Sequence, residues 1–349
     1  RDVEIPGALV DAVVLAEPGD HMQTFKTDFS PAFTGRYRAP AEGQAKMPLD
    51  ARKIIARRAA FELPMNGIVN LGIGMPEGVA AVAAEEKLLD HLTLTAEPGV
   101  IGGQPASGLD FGAATNTDAV IAQNQQFDFY DGGGLDIAIL GMAEVDRQGS
   151  VNVSKFGPRL AGAGGFINIS QNAGKVVFIG TFTSVALDIA VEGGALVVRN
   201  DGRVRKFVDA VGHTTFFGPR AARLGQPVLF VTERAVFRLT GEGLELIEIA
   251  PGVDLERDVL GQMAFRPIVT HVDQMDARIF ADAPMALDVG QAKNAPVPAP
   301  GHAVQRKTQP DVGQCGQPAQ VVGDFPGGFE RVIGHFRNFS EQRGRQADF

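Results

Sequence analysis

Apolar residues fall into two periods along the first two thirds of the chain. Ile55, Ala59 and Leu63 lie four apart, the spacing of one helix face, and Asp50 precedes them where its side chain can cap free N–H groups. Pro64 and Gly67 end that helix. Ile68 to Leu71 then reads as a short buried strand running into Gly72-Ile73-Gly74-Met75-Pro76, and a second helix is predicted from about Pro76 to Leu89. Next, Leu92 and Leu94 alternate with Thr93 and Thr95, giving a strand from Leu92 to Ala96 that Pro98 and Gly99 must stop. Strand, glycine turn, helix and strand form a βαβ unit.

Further on, Leu135 to Leu140 and Lys175 to Phe182 are nearly continuous apolar runs, suited to strands buried on both faces. The intervening segments are less regular. Gly102 to Asn116 reads as a long loop of small residues, Asp118 to Gln126 as a short helix, and Phe127 to Gly134 as part of a glycine-rich turn. Val151 to Ser154 reads as a short strand, and Leu160 to Phe166 is a second glycine-rich turn. The texture then becomes β-rich. A hairpin is predicted over Ala195 to Val208 around Asn200-Asp201-Gly202, and three short strands over Pro227 to Ala250. Asp254 is placed to cap a last helix, Leu255 to Met263. The expected fold class is α/β: an open, largely parallel sheet covered by helices, with a β-hairpin-rich later part. Residues 1–46 read as a connector and 47–287 as the catalytic domain. After Leu287 the pattern is lost, and 288–349 read as a low-complexity tail, disordered or unrelated to the domain.

Composition narrows the partners. A net charge of -9 argues against nucleic acid or an anionic membrane surface. The one small basic cluster, Arg203, Arg205 and Lys206, fits a solvated strand edge. Cys315 is the sole cysteine, which excludes an intramolecular disulfide and a cysteine-based zinc site. The six histidines show no metal-ligand spacing, so no metal is expected. No run reaches the length of a membrane span, and the first residues lack the layout of a signal peptide. The chain begins with Arg1 rather than Met, so we expect a processed chain or a missing upstream part, and a cytoplasmic location by default.

The candidate chemistry centres on Leu92 to Gly103. Glu97 ends a strand and is followed by Gly99, Gly102 and Gly103, and ligands of open α/β sheets bind at the carboxyl ends of strands. A surface glutamate at a strand-to-turn junction would look the same locally. The Gly72–Pro76 turn is not the dinucleotide fingerprint, for its third glycine is out of place. Gly72 and Gly74 either let backbone approach a ligand beside a helix start or pack a helix tightly on the sheet. Gly162, Gly164 and Gly165 have a comparable bland reading as a helix-start turn.

Taken in order, NLGIGMPEGVA, TAEPGVIGG, LDFGAATN, FDFYDGGGLDIAILG and FGPRLAGAGGFINISQNA resemble the carboxyl half of a family I CoA-transferase. The likeness is greatest to the propionate/acetate group, and it runs from Met47 to about Leu287. It implies a protein of two similar halves, of which this chain carries the second, with residues 1–46 leading in from a missing amino-terminal half. It implies that Glu97 is the nucleophile and that Gly164 or Gly165 supplies an oxyanion N–H, the other donor being a glutamine of the first half. Gly72, Gly74, Gly102 and Gly103 are the implied wall of the CoA site. Lys155, Arg159 and Lys175 are the nearest cations to its phosphates, although each is more often a plain surface charge. Phe127, Phe129 and Tyr130 fit core packing better than an adenine platform. One departure is visible. The ketoacid branch has Ser-Glu-Asn-Gly where this chain has Ala96-Glu97-Pro98-Gly99, which fits the propionate type.

The implied reaction moves CoA between an acyl-CoA and a short-chain carboxylic acid through a covalent glutamyl-CoA thioester, with ping-pong kinetics. CoA is then a substrate and no cofactor is expected. The implied partners are acyl-CoA and a short-chain carboxylate, with no nucleic acid and no membrane, and the complete enzyme is expected to be a homo-oligomer. Alternatives are a thioester hydrolase on the same scaffold, an inactive fragment or partner subunit, and a sugar-phosphate isomerase, for which no acid/base pair is evident.

Overall fold

Asp50 caps the first helix as its position suggests. Its carboxylate accepts from the Lys53 amide at 3.0 Å, and α1 runs over Ala51–Ala60. In this computed structural model, residue 3, residues 5–40 and residues 47–287 are described, and they fall within one compact unit. The predicted tail, 288–349, and Cys315 lie outside them.

After α1 come β1 (Gly67–Leu71), α2 (Glu77–Glu85), β2 (Leu92–Ala96), β3 (Val100–Ile101), β4 (Ala119–Val120), α3 (Gln123–Asp131), β5 (Ile137–Gly141), α4 (Phe166–Asn172), β6 (Val176–Ile179), α5 (Gly218–Leu224), β7 (Val228–Val231), β8 (Ala235–Thr240), β9 (Gly243–Ile249) and β10 (Asp273–Gln274). These ten strands form one sheet in the order β10-β9-β8-β7-β6-β5-β1-β2-β3-β4. Its centre, β7-β6-β5-β1-β2, is parallel throughout. Antiparallel strands extend it on both sides. The sheet is therefore open and largely parallel, with a hairpin-rich later part.

The apolar runs are continuous because both faces are covered. Ile137, Ile139, Val177 and Ile179 pack with α1 and α2, while Ala138, Leu140, Val176 and Phe178 pack on the opposite side with residues of α3, α4 and α5. The chain crosses from β1 to β2 on one side, then returns to β5 on the other. In open α/β sheets such a reversal marks the carboxyl ends of the central strands as the place where ligands bind.

Several local expectations are corrected. The helix predicted over Asp118–Gln126 begins only at Gln123. Residues 119–120 are claimed as a strand by β3, with Asp118 N donating to Ile101 O and Ile121 N to Gly99 O, both at 2.9 Å. The helix, α3, comes later and takes Phe127 to Asp131 out of the predicted glycine-rich turn. The second helix ends at Glu85 rather than Leu89, where Lys87 turns to a φ of 59°. Within the expected long loop, Gln104–Pro105 pairs with Ala114–Thr115. The hairpin is Asp188–Glu192 with Ala195–Asn200, turning at Gly193-Gly194 rather than at Asn200-Asp201-Gly202. Both turn glycines have positive φ, which favours the tighter connection. Val204–Arg205 pairs instead with Thr183–Ser184. Asp254 does cap Arg257, but Leu255–Val259 is a π-helical turn followed by a 3₁₀ turn. Lys206 is half-buried, unlike exposed Arg203 and Arg205, and burial pushes its ammonium down from the usual lysine range.

Between residues 5 and 40 the chain forms three short 3₁₀ turns and leaves Leu9, Val13, Val14, Leu15 and Phe25 exposed. It is tied to the domain by Thr24 donating to Asp110 at 2.6 Å and by the Ala39 amide donating to Asn116 at 2.8 Å. Among the described residues, no helix is long and apolar enough to cross a membrane.

Candidate active site

Glu97 is the first residue beyond β2, in the Ala96–Gly99 turn that leads into β3. The turn closes with Gly99 N donating to Ala96 O at 3.1 Å. Gly99 has a φ of 116°, and a β-carbon there would stand 1.9 Å from the Ile121 carbonyl oxygen, so only glycine fits. The parallel centre thus sets the direction of β2, and the Pro98-Gly99 turn presents Glu97 at its carboxyl end.

The second glycine-rich turn meets Glu97 there. Gly165 is the N-cap of α4, and a β-carbon on it would lie 2.6 Å from Glu97 Oε2 and 2.6 Å from Phe127 Cζ. A backbone hydrogen bond from Gly165 favours the charged carboxylate, but burial outweighs it. The Glu97 carboxyl is consequently held above the usual glutamate range. Gly165 is buried, whereas Gly164 is exposed, with a φ of 54° and open space where a β-carbon would go. Gly162 is likewise exposed. Of the two predicted oxyanion donors, Gly165 is the one against Glu97. A half-buried carboxylate beside a backbone N–H can attack an electrophilic carbonyl and then shelter the charge that develops.

The predicted CoA wall is dispersed. Gly102 and Gly103 follow β3 with positive φ. A β-carbon on Gly102 would meet Asp118 Oδ2 at 2.0 Å, and one on Gly103 would meet the Thr115 carbonyl oxygen at 2.4 Å. Positive φ therefore favours glycine at both positions, and at Gly103 the packed backbone excludes a side chain as well. Gly72 sits tightly against Leu140, and the Gly74 amide donates to Glu77 at 3.1 Å. Gly72 also borders a cleft of about 390 Å³ shared with Met47, Arg52, Leu71, Ser107 and Phe111. Glu97 does not line it, and its charged groups Arg52 and Glu77 pair with each other at 3.3 Å. The Glu97–Gly165 contact therefore lies apart from this cleft. Of the predicted cations, Lys175 is paired with Glu62, and Lys155 and Arg159 are exposed.

Beneath the Glu97 turn lies a polar group that sequence reasoning missed. Asn70, Thr95, Gln126 and Tyr130 are all buried, with Thr95 on β2 and Asn70 beside it on β1. Burial lifts the Tyr130 phenol above its ordinary range, and the nearby Glu97 charge adds to that. The signal was the spacing of Gln126 and Tyr130, four apart, which marks one face of a helix only once α3 is placed correctly.

No family model matches the chain. It is 44% identical over 300 residues to caffeate CoA-transferase of Acetobacterium woodii, a match covering 84% of this chain and 57% of that protein. It is 42% identical to acetate CoA-transferase YdiF of Escherichia coli, covering 84% and 55%. The chain thus spans about half the length of these curated relatives. A crystal structure of the Escherichia coli O157:H7 acyl-CoA transferase YdiF as a thioester complex with CoA superposes with a TM-score of 0.69 at 41% identity, over 82% of this chain and 53% of that one. The decarboxylase AibA/AibB shares the fold alone, at 20% identity, a TM-score of 0.53, and 70% and 97% coverage. The Escherichia coli K12 acetate CoA-transferase subunit beta is 31% identical over 224 residues, which are 59% of this chain and 89% of that subunit. On this agreement of sequence and fold, the chain belongs to the family I CoA-transferases.

Proposed function

We propose that this chain is the nucleophile-bearing half of an enzyme that moves CoA from an acyl-CoA to a short-chain carboxylic acid. The observation that carries the reading is the Glu97 carboxylate at the carboxyl end of β2, facing the Gly165 amide. The fold does not carry it, because a decarboxylase has the same fold.

In the proposed cycle, Glu97 attacks the thioester carbonyl, the C–S bond breaks, and CoA leaves as thiolate from a Glu97–acyl anhydride. The thiolate attacks the Glu97 carbonyl, displaces the acyl group as its carboxylate, and leaves a glutamyl-CoA thioester. An acceptor carboxylate then reverses both steps and departs as the new acyl-CoA. Each tetrahedral intermediate bears an oxyanion that the Gly165 N–H can stabilise. No electrons are transferred, and CoA enters and leaves as substrate. Gly72, Gly74, Gly102 and Gly103 remain the proposed wall for it. The relatives extend well beyond the matched length, and one is named as a subunit beta, which supports a second half completing the site. We extend the proposal to a homo-oligomeric complete enzyme.

The test is to incubate the chain with acetyl-CoA, alone and with the amino-terminal half of YdiF, then to measure intact mass and treat with borohydride. We expect a CoA adduct that maps to Glu97, is absent in Glu97→Gln, and is discharged by added acetate or propionate. Release of CoA at a rate independent of acceptor acid, without an adduct, would instead establish a hydrolase.

A further inference from the structure

Helix α3 touches both turns of the site. Gln126 and Tyr130 project from one face of it into a buried chain of hydrogen bonds whose directions are fixed by donor count. Thr95 Oγ1 donates to Val69 O at 3.2 Å and accepts from the Tyr130 hydroxyl at 3.0 Å. The Tyr130 oxygen accepts from Gln126 Nε2 at 2.8 Å and from Asn70 Nδ2 at 3.3 Å. Gln126 Nε2 also reaches Ala96 O at 3.4 Å and Val100 O at 3.5 Å. Those two carbonyls bracket Glu97, Pro98 and Gly99, and the one Nε2 proton not given to Tyr130 is shared between them across the two ends of the turn.

The same helix reaches the oxyanion side. Phe127, next to Gln126, lies against Gly165. Asp131, at the end of α3, accepts from Asn168 at 2.9 and 3.0 Å and from Asn172 at 3.1 Å, both on α4, whose N-cap is Gly165. Asn70 Oδ1 and Gln126 Oε1 are buried without a partner among the described residues. A group that only filled the core would be better served by apolar side chains.

We propose that Gln126 and Tyr130 are positioning residues which, through α3, fix the Glu97 turn at its distance from the Gly165 amide. The consequence for rate rests on the reading of Glu97 as the nucleophile, but the geometric claim can be tested apart from it.

The experiment uses the full chain labelled with ¹⁵N and follows the Gly165 amide proton through the ionisation of Glu97. Tyr130 stays neutral over that range, because burial raises its phenol. In the unaltered chain we expect the Gly165 proton to move downfield as Glu97 ionises. Tyr130→Phe and Thr95→Val keep the packed volume, and they remove the three hydrogen bonds of the Tyr130 hydroxyl and the two of Thr95 Oγ1, respectively. Each should cut that movement roughly twofold or more, while the Ile179 amide in β6 stays in place. Either variant that folds is sufficient. A Gly165 response equal to that of the unaltered chain, in a variant whose spectrum is otherwise native, overturns the proposal. In the adduct assay the same variants should slow Glu97 labelling by roughly ten- to hundredfold at saturating acetyl-CoA. If the unaltered chain forms no adduct even with the amino-terminal half of YdiF added, the nucleophile reading fails, and the proton shifts still decide the positioning claim.

Discussion

Glu97 and Gly165 meet across the carboxyl edge of the sheet, and the absent side chain of Gly165 is what lets them meet. A β-carbon on Gly165 would stand 2.6 Å from Glu97 Oε2, inside any tolerable contact. Gly165→Ala should therefore push the carboxylate away from the amide and cost about 10²- to 10³-fold in transfer rate, the scale of losing an oxyanion donor. Gly164→Ala is the matched control. That position is exposed with a φ of 54° and nothing near a β-carbon, so the change should cost about 1–2 kcal/mol of stability and leave Glu97 labelling close to normal. Equal labelling rates for the two variants would remove Gly165 from the chemistry.

The raised carboxyl of Glu97 makes a second, thermodynamic prediction. A glutamate whose folded-state pKa lies above its unfolded value favours folding fully below the unfolded pKa, about 4.3, and loses that contribution as pH rises through the folded value. At neutral pH the ionised side chain is therefore a burden on stability. Glu97→Gln should raise the midpoint of thermal unfolding by about 1–3 °C at pH 7, and the gain should shrink as pH falls towards 4. Reactivity should move the other way, with Glu97 labelling rising with pH through a midpoint above that of an ordinary glutamate. Differential scanning fluorimetry and labelling across pH check both signs.

These effects arise at points that differ in how plainly the sequence announces them. Leu92 to Ala96 reads as a strand because threonine and leucine alternate, and the strand ends at Ala96 because Pro98 cannot pair and Gly99 is forced to positive φ. Glu97 was legible for that reason. The partner turn was legible only as glycine-rich. Which glycine faces Glu97 depends on where α4 starts, and that is set by packing of Phe166 and Ile169 against the sheet. The polar support under Glu97 was not legible. The polar run Gln123 to Gln126 looks like surface, and only the tertiary placement of α3 turns Gln126 inward. Local propensity also misled at residues 119–120, where strand pairing with β3 decides the conformation.

The turn that carries Glu97 has little tolerance of its own. Gly99 is packed by the β3–β4 return, with Ile121 donating to its carbonyl at 2.9 Å. Gly99→Ala would combine a forbidden φ with a 1.9 Å clash against backbone, which cannot yield as a flexible side chain can. We expect a loss of at least about 3 kcal/mol, seen as a lower denaturant midpoint and a low yield of folded protein. A normal midpoint would show that the turn is shaped differently from the one described.

A buried ion cluster joins the later part of the domain to the parallel sheet. Glu233 and Arg234, fully buried just after β7, pair with each other at 2.8 Å. Arg234 also donates to Asp201 at 2.7 Å and to the Asp258 carbonyl at 3.0 Å, and its guanidinium lies 5.2 Å from the centre of the Phe182 ring. Glu233 accepts from the Phe182 amide at 2.8 Å. Removing Arg234 strips the buried Glu233 carboxylate of its ion-pair partner and leaves it the charge of Lys206. Arg234→Met should cost about 3–5 kcal/mol and loosen three segments together, around Phe182, Asp201 and Asp258. Hydrogen exchange by mass spectrometry should show faster exchange in those three segments and little change at β1 and β2. The double variant Glu233→Gln, Arg234→Met removes both charges and should recover part of the loss. If the single variant is as stable as the unaltered chain, the cluster does not hold these segments, and the packing around Phe182 must be sufficient by itself.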